Sequence, residues 1–83
     1  MLTQHTPDAE GRYWYHVFFR WANGEASCAL WLNVPIQYDS DIAHVRDVLA
    51  ARALKGNVRR ERIVVVSWLP LLGEKRPGKD FTE

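Results

Sequence analysis

Between Arg12 and Trp21 the chain reads RYWYHVFFRW, with apolar or aromatic side chains in both alternating sets of positions. An extended strand points alternate residues to opposite faces, so this stretch predicts a strand with two apolar faces. Asn23 and Gly24 come next, followed by a second strand-like run, EASCALWLNV. Both turn residues tolerate positive φ, as a two-residue type I′ turn requires, and a hairpin with Asn23-Gly24 at its tip is predicted. Its register sets Trp21 against Ala26, Phe19 against Cys28, Val17 against Leu30, Tyr15 against Leu32 and Tyr13 against Val34. All of those pairs are apolar. On the other face Arg20 meets Ser27, Phe18 meets Ala29, His16 meets Trp31 and Trp14 meets Asn33, an amphipathic set. A one-residue slip would mix the two sets, so the pattern specifies which residues share a face.

Pro35 cannot continue a central ladder and is expected to close the second strand. Asp39 or Ser40 can cap a helix, and Asp41 adds negative charge near its positive end. Ile42, Val45, Val48, Leu49 and Ala53 then form one apolar stripe at helical spacing. Lys55 falls in the last turn, and Gly56 suits a left-handed exit. The loop NVRRER leads to IVVVSW, a β-branched run that predicts a buried strand ended by Pro70. The order strand, strand, helix, strand predicts an α+β fold of ββαβ type. Its three-stranded antiparallel sheet has the order 2-1-3, with the helix packed on one face. On the third strand Val64, Val66 and Trp68 are assigned to the core, and Ile63, Val65 and Ser67 to the open face. Residues 1–11 and 73–83 are polar and carry Gly and Pro, so they read as a mobile arm and tail around one domain, 12–72.

Composition narrows the function classes. With 83 residues there is room for one modest core. A net charge of +1 supplies no bulk field to attract nucleic acid or an anionic membrane, and is far from the acidity of a nucleic-acid mimic. The single cysteine, Cys28, excludes an internal disulfide and fits a reducing cytoplasm. The polar start MLTQHTPDAEG lacks the order of a secretory signal. No apolar run approaches the roughly 20 residues of a membrane span.

Candidate chemistry is sparse. His5, His16 and His44 lack the spacing that metal ligation favours. Cys28 falls on the apolar face with no cation near it, where a thiol acts as a small hydrophobe. Asp39, Asp41 and Asp47 are explained by helix capping and solvation, and there is no Gly-rich phosphate loop. No enzyme activity, cofactor or metal is expected. What stands out is the uncovered sheet face, with Trp14, His16, Phe18, Arg20 and Trp31 as candidate contact residues. Three outcomes are open: the chain's own tail with Leu71, Leu72 and Phe81 covers the face; a symmetric homodimer buries two such faces or extends the sheet through strand two or three; or a foreign protein binds there. Arg59, Arg60 and Arg62 lie in a loop with a local excess of +3 over residues 55–62. Beside exposed aromatics, such a loop also suits single-stranded nucleic acid, the alternative partner.

The run from YHVFFRWANGEASCALWLNVPI through DIAHVRDVLAAR to IVVVSWLPL resembles small accessory proteins of phages and prophages. The likeness covers roughly residues 13–72. It looks like the kind of gene that supplies anti-CRISPR and related counter-defence proteins, which are commonly small non-enzymatic inhibitors. The resemblance implies a binder that occludes a host protein complex, such as a CRISPR effector, in the bacterial cytoplasm. It carries over no catalytic residues. The first two strands and the helix also look like the opening of a β-grasp domain, which normally continues with further strands.

Overall fold

The aromatic run forms β1 (Tyr13–Trp21), the middle strand of a three-stranded sheet. The computed structural model describes residues 5–75. β2 (Gly24–Leu32) and β3 (Val64–Leu71) flank β1, both antiparallel to it, in the order β2-β1-β3. Between β2 and β3 lie α1 (Asp39–Val48), a π-helical turn (Leu49–Ala53) and a short 3-10 turn (Arg60–Arg62). The small α+β fold and its strand order are therefore as the hydrophobic pattern predicts.

Alternation places Tyr15, Val17 and Phe19 of β1 on one face with Leu30 and Leu32 of β2, all buried, and Cys28 half-buried beside them. Val45 and Leu49 close over them from the helical segment, and Ile63 enters from just before β3. Full burial of an aliphatic side chain of this size contributes roughly 1.5–3 kcal/mol, so this face supplies most of the stability. The Tyr15 hydroxyl accepts a 2.7 Å hydrogen bond from the Ile36 N–H, which ties the β2–α1 connection back to the central strand. Burial pushes the Tyr15 hydroxyl pKa up, opposed by the Ile36 bond and assisted by the nearby Asp41 charge.

The hairpin register differs from expectation by two residues. Trp21 pairs with Gly24, Phe19 with Ala26, Val17 with Cys28, Tyr15 with Leu30 and Tyr13 with Leu32. The loop is therefore Ala22-Asn23, and neither Asn23 nor Gly24 has positive φ. Two pairings fit this register: Arg20 now lies opposite Glu25, and Trp21 has a glycine opposite its indole. A Cβ on Gly24 would lie 3.0 Å from Trp21 Cζ2, so the glycine is there for space and not for a left-handed turn. A shift of two preserves face parity, and the sorting of residues between faces survives. Val34, expected opposite Tyr13, lies past the end of β2 and is half exposed.

The third strand departs further. A bulge between Phe18 and Phe19 on the β1 side leaves Val66 without a partner, since Phe18 pairs with Ser67 and Phe19 with Val65. The extra residue reverses the alternation expected for its N-terminal half. Ile63 is buried and Val65 packs on the core, whereas Val64 and Val66 are exposed. Trp68 lies opposite Val17 on the core side, as expected, yet is 37 % exposed at the sheet edge. Pro70 does not end the strand; it sits within β3 opposite Tyr15. An edge strand tolerates a missing donor on its outer side.

The helix begins from Tyr38, and neither Asp39 nor Ser40 caps it. The Asp41 carboxylate reaches back instead, accepting the N–H groups of Gln37 and Tyr38 at 2.9 Å each. Those two bonds, with the nearby His44, hold the Asp41 pKa below its ordinary value against a smaller opposing effect of burial. At the C-terminal end the Leu54 N–H bonds to the Leu49 carbonyl at 3.0 Å, a π-type span. Each such bond takes in one residue more than an α-helical bond, which rotates the stripe. Ala50 and Leu54 therefore pack on the core, while Ala53 is exposed. Gly56 leaves the helix at φ 80°, as expected, preceded by Lys55 at φ 54°.

Gly24→Ala is predicted to lose about 1–2 kcal/mol of stability by crowding the Trp21 ring. In a Trp21→Leu background the same change should be nearly neutral, a coupling that a double-mutant cycle by chemical denaturation reads directly. A cost that persists with Leu at position 21 would mean that the backbone of Gly24, and not its space, is what matters.

Candidate functional site

The face of the sheet turned away from the helix is built by cross-strand rows. Arg20 lies between Glu25 and Val64, Phe18 between Ser27 and Ser67, His16 between Ala29 and Leu69, and Trp14 between Trp31 and Leu71. Phe18 is 36 % exposed, Leu69 55 % and Val64 51 %. The His16 ring meets Phe18 edge-on, their centroids 5.0 Å apart. Arg20 is exposed at the hairpin end. The middle of this face thus sets Phe18 and Leu69 beside two serines and one imidazole, bounded by charge at one end.

The other end is closed by the segment before β1. Asp8 organises a turn there: its Oδ1 accepts the N–H groups of Glu10 and Arg12, and its Oδ2 accepts Arg12 Nε and Trp14 Nε1, all at 2.9 Å. The Arg12 guanidinium, also paired with Glu10, then lies 5.6 Å from the Trp14 ring centroid and 5.7 Å from that of Trp31. Arg52, from the π-helical turn, approaches Trp31 at 5.6 Å. These cation–π contacts occupy ring faces that would otherwise be free for stacking. Around them is an open cleft of ≈ 890 Å³. Burial pushes the Asp8 pKa up, but the Arg12 N–H, the Trp14 indole, the Glu10 N–H and the Arg12 guanidinium outweigh it. The carboxyl is held well below its ordinary value of 3.8.

Of the residues expected on this face, His16, Phe18, Arg20 and Trp31 are accessible in part or in full. Trp14 is not: it is 8 % exposed beneath the Asp8 turn, the physical reason it leaves the candidate set. The basic loop does not act as one cluster. Arg60 forms a 2.8 Å ion pair with Asp47 on α1 and contacts Glu61, which raises the Arg60 pKa, while Arg59 and Arg62 are exposed. Val64 and Leu69 enter the face unforeseen, one through the bulge and the other through the register of β3 with β1. Asp8 was also missed. Its signal is the spacing Asp8-Ala9-Glu10-Gly11, an Asp followed by Gly three residues on, which favours a turn. Within the stretch 1–11, expected as a mobile arm, the described residues 5–11 make that turn and a 2.7 Å hydrogen bond from His5 to the Leu71 carbonyl. Phe81 lies outside the described residues.

Among the described residues no three of His, Cys, Asp and Glu gather as a metal-binding group. Burial raises the pKa of Cys28. No helix among the described residues is long and apolar enough to cross a membrane. The chain matches no protein-family model, no curated protein and no solved structure.

The Asp8 carboxylate, having a lowered pKa, contributes stability that is present above its unfolded value and lost as pH falls through the folded one. The thermal midpoint of wild type should exceed that of Asp8→Asn at pH 6. The gap should begin to close as pH drops below 3.8, the unfolded value. A gap that stays constant down to strongly acid pH would assign the loss to geometry and not to charge.

Proposed function

We propose that this chain is a non-enzymatic protein-binding module whose contact surface is the open face of its sheet. The observation that carries this reading is that Phe18, Leu69 and Val64 stand exposed together on the side the helix does not cover, with His16 packed on Phe18 and Arg20 at their edge. An apolar centre with a charged rim is the anatomy of a protein–protein contact. The resemblance to phage accessory proteins extends the proposal to an inhibitor that blocks a host defence complex sterically, of anti-CRISPR type, in the bacterial cytoplasm. That extension rests on the residue pattern of 13–72.

Nucleic acid is the weaker reading. Trp14 and Trp31 already have guanidinium groups against their rings, and Arg60 is engaged by Asp47, which leaves Lys55, Arg59 and Arg62 of that loop to meet a phosphate backbone. Saturable, salt-sensitive anisotropy changes with a labelled single strand would reinstate it; none are expected.

Phe18→Ala with Leu69→Ala removes two exposed side chains without opening the core, and the variant should keep its circular dichroism spectrum. In capture from bacterial lysate it should lose the specific partners of wild type by about tenfold, as removal of central contact residues does. Equal capture by the folded double variant would overturn this assignment of the face.

A further inference from the structure

The two outer strands differ in a way that points to a second copy of this chain. β3 carries two features that discourage pairing along a sheet edge, the bulge at Val66 and the proline at 70. β2 carries neither: it is nine residues long, unbroken in its ladder with β1, and contains no proline. Its other edge takes no strand among the described residues. Three of its side chains are small and exposed, Ala26, Ser27 and Ala29. An apolar cleft of ≈ 200 Å³ runs beside it, between Cys28 and Leu30 on the strand and Val48, Leu49 and Ala53 on the helical segment.

We propose that two copies pair antiparallel through β2, joining their sheets into one of six strands. Overlap of the whole strand allows one register only, with the two-fold axis at its midpoint, Cys28. Face parity then matches: Ala26 meets Leu30 of the other copy on the helix side, and Glu25 meets Trp31 on the open side. That second pairing supplies the charge argument. Arg52 stands at Trp31, so Glu25 of each copy arrives beside Arg52 of the other, twice by symmetry. Neither residue has an ion-pair partner among the described residues, although Glu25 lies opposite Arg20. The full overlap of β2 fixes the register, and the free charges fall into complementary places without adjustment. The pairing uses an edge and not the open face, so it stands or falls separately from the reading proposed above. Its effect is to merge two open faces into a single continuous one.

Directly opposed residues in antiparallel strands have Cα atoms about 4.5–5.5 Å apart, within the range a disulfide spans. Light scattering on the full chain across a concentration series should show a monomer–dimer equilibrium. Diamide at alkaline pH takes two protons and two electrons from a pair of thiols and should cross-link wild type through Cys28, but not Cys28→Ser. Glu25→Arg and Arg52→Glu should each weaken the dimer about tenfold, and the two together should restore it, since the charges are exchanged and not lost. A strictly monomeric chain overturns the proposal. So does a dimer that gives no Cys28 cross-link, because pairing through β3 or through the open faces would leave the thiols apart.

Discussion

One helical segment, Asp39–Ala53, can bury only one side of a three-stranded sheet, and that limit governs this molecule. The side beneath it holds the buried core cluster: Tyr15, Val17, Phe19, Leu30 and Leu32 below, Val45 and Leu49 above, Ile63 between. β1 carries both ladders, so its inward residues are covered from three directions and Val17 is wholly buried. Its outward residues receive no such cover. They are handled locally, by a carboxylate-centred turn over Trp14 at one end and by imidazole–phenyl packing in the middle.

The electrostatics follow the same economy. Asp8 is part-buried, with four donors converging on its two oxygens. Such a group is favourable only while every lone pair is engaged. The Arg12 guanidinium that helps to neutralise it also covers aromatic surface, so a single arginine links the turn, Trp14 and Trp31. Arg60 does comparable work at the opposite pole by joining the 3-10 turn to α1 through Asp47. Two of the positive charges most visible in the sequence are therefore structural ties, while Arg20, Arg52, Arg59 and Arg62 remain outward.

What could be read from the sequence was whatever depended on alternation. The strand order, the helix position and the face to which Tyr15, Val17, Phe19, Cys28 and Leu30 belong all follow from period-two and helical patterns in β1, β2 and α1. Where alternation carries no phase, the reading failed. IVVVSW is apolar at almost every position, so nothing in it announces the bulge that places Ile63 and Val65 inward. Gly24 was legible as special, but its role is steric relief of Trp21, information that lies in the opposite strand. The open face was foreseen in location and only partly in membership. Phe18 and His16 remained, whereas Trp14 was lost to Asp8, a residue six positions away whose contribution depends on three-dimensional convergence.

The bulge also bears on how this chain can change in length. Val66 is one residue more than the ladder with β1 requires. Before it, positions 63 and 65 turn inward; after it, positions 68 and 70 lie opposite inward residues of β1. Loss of that single codon would join the two halves into unbroken alternation, with every core residue still on its own side. A frame-preserving deletion, ordinarily ruinous in a sheet because it inverts all that follows, is at this one position a route to a more regular strand.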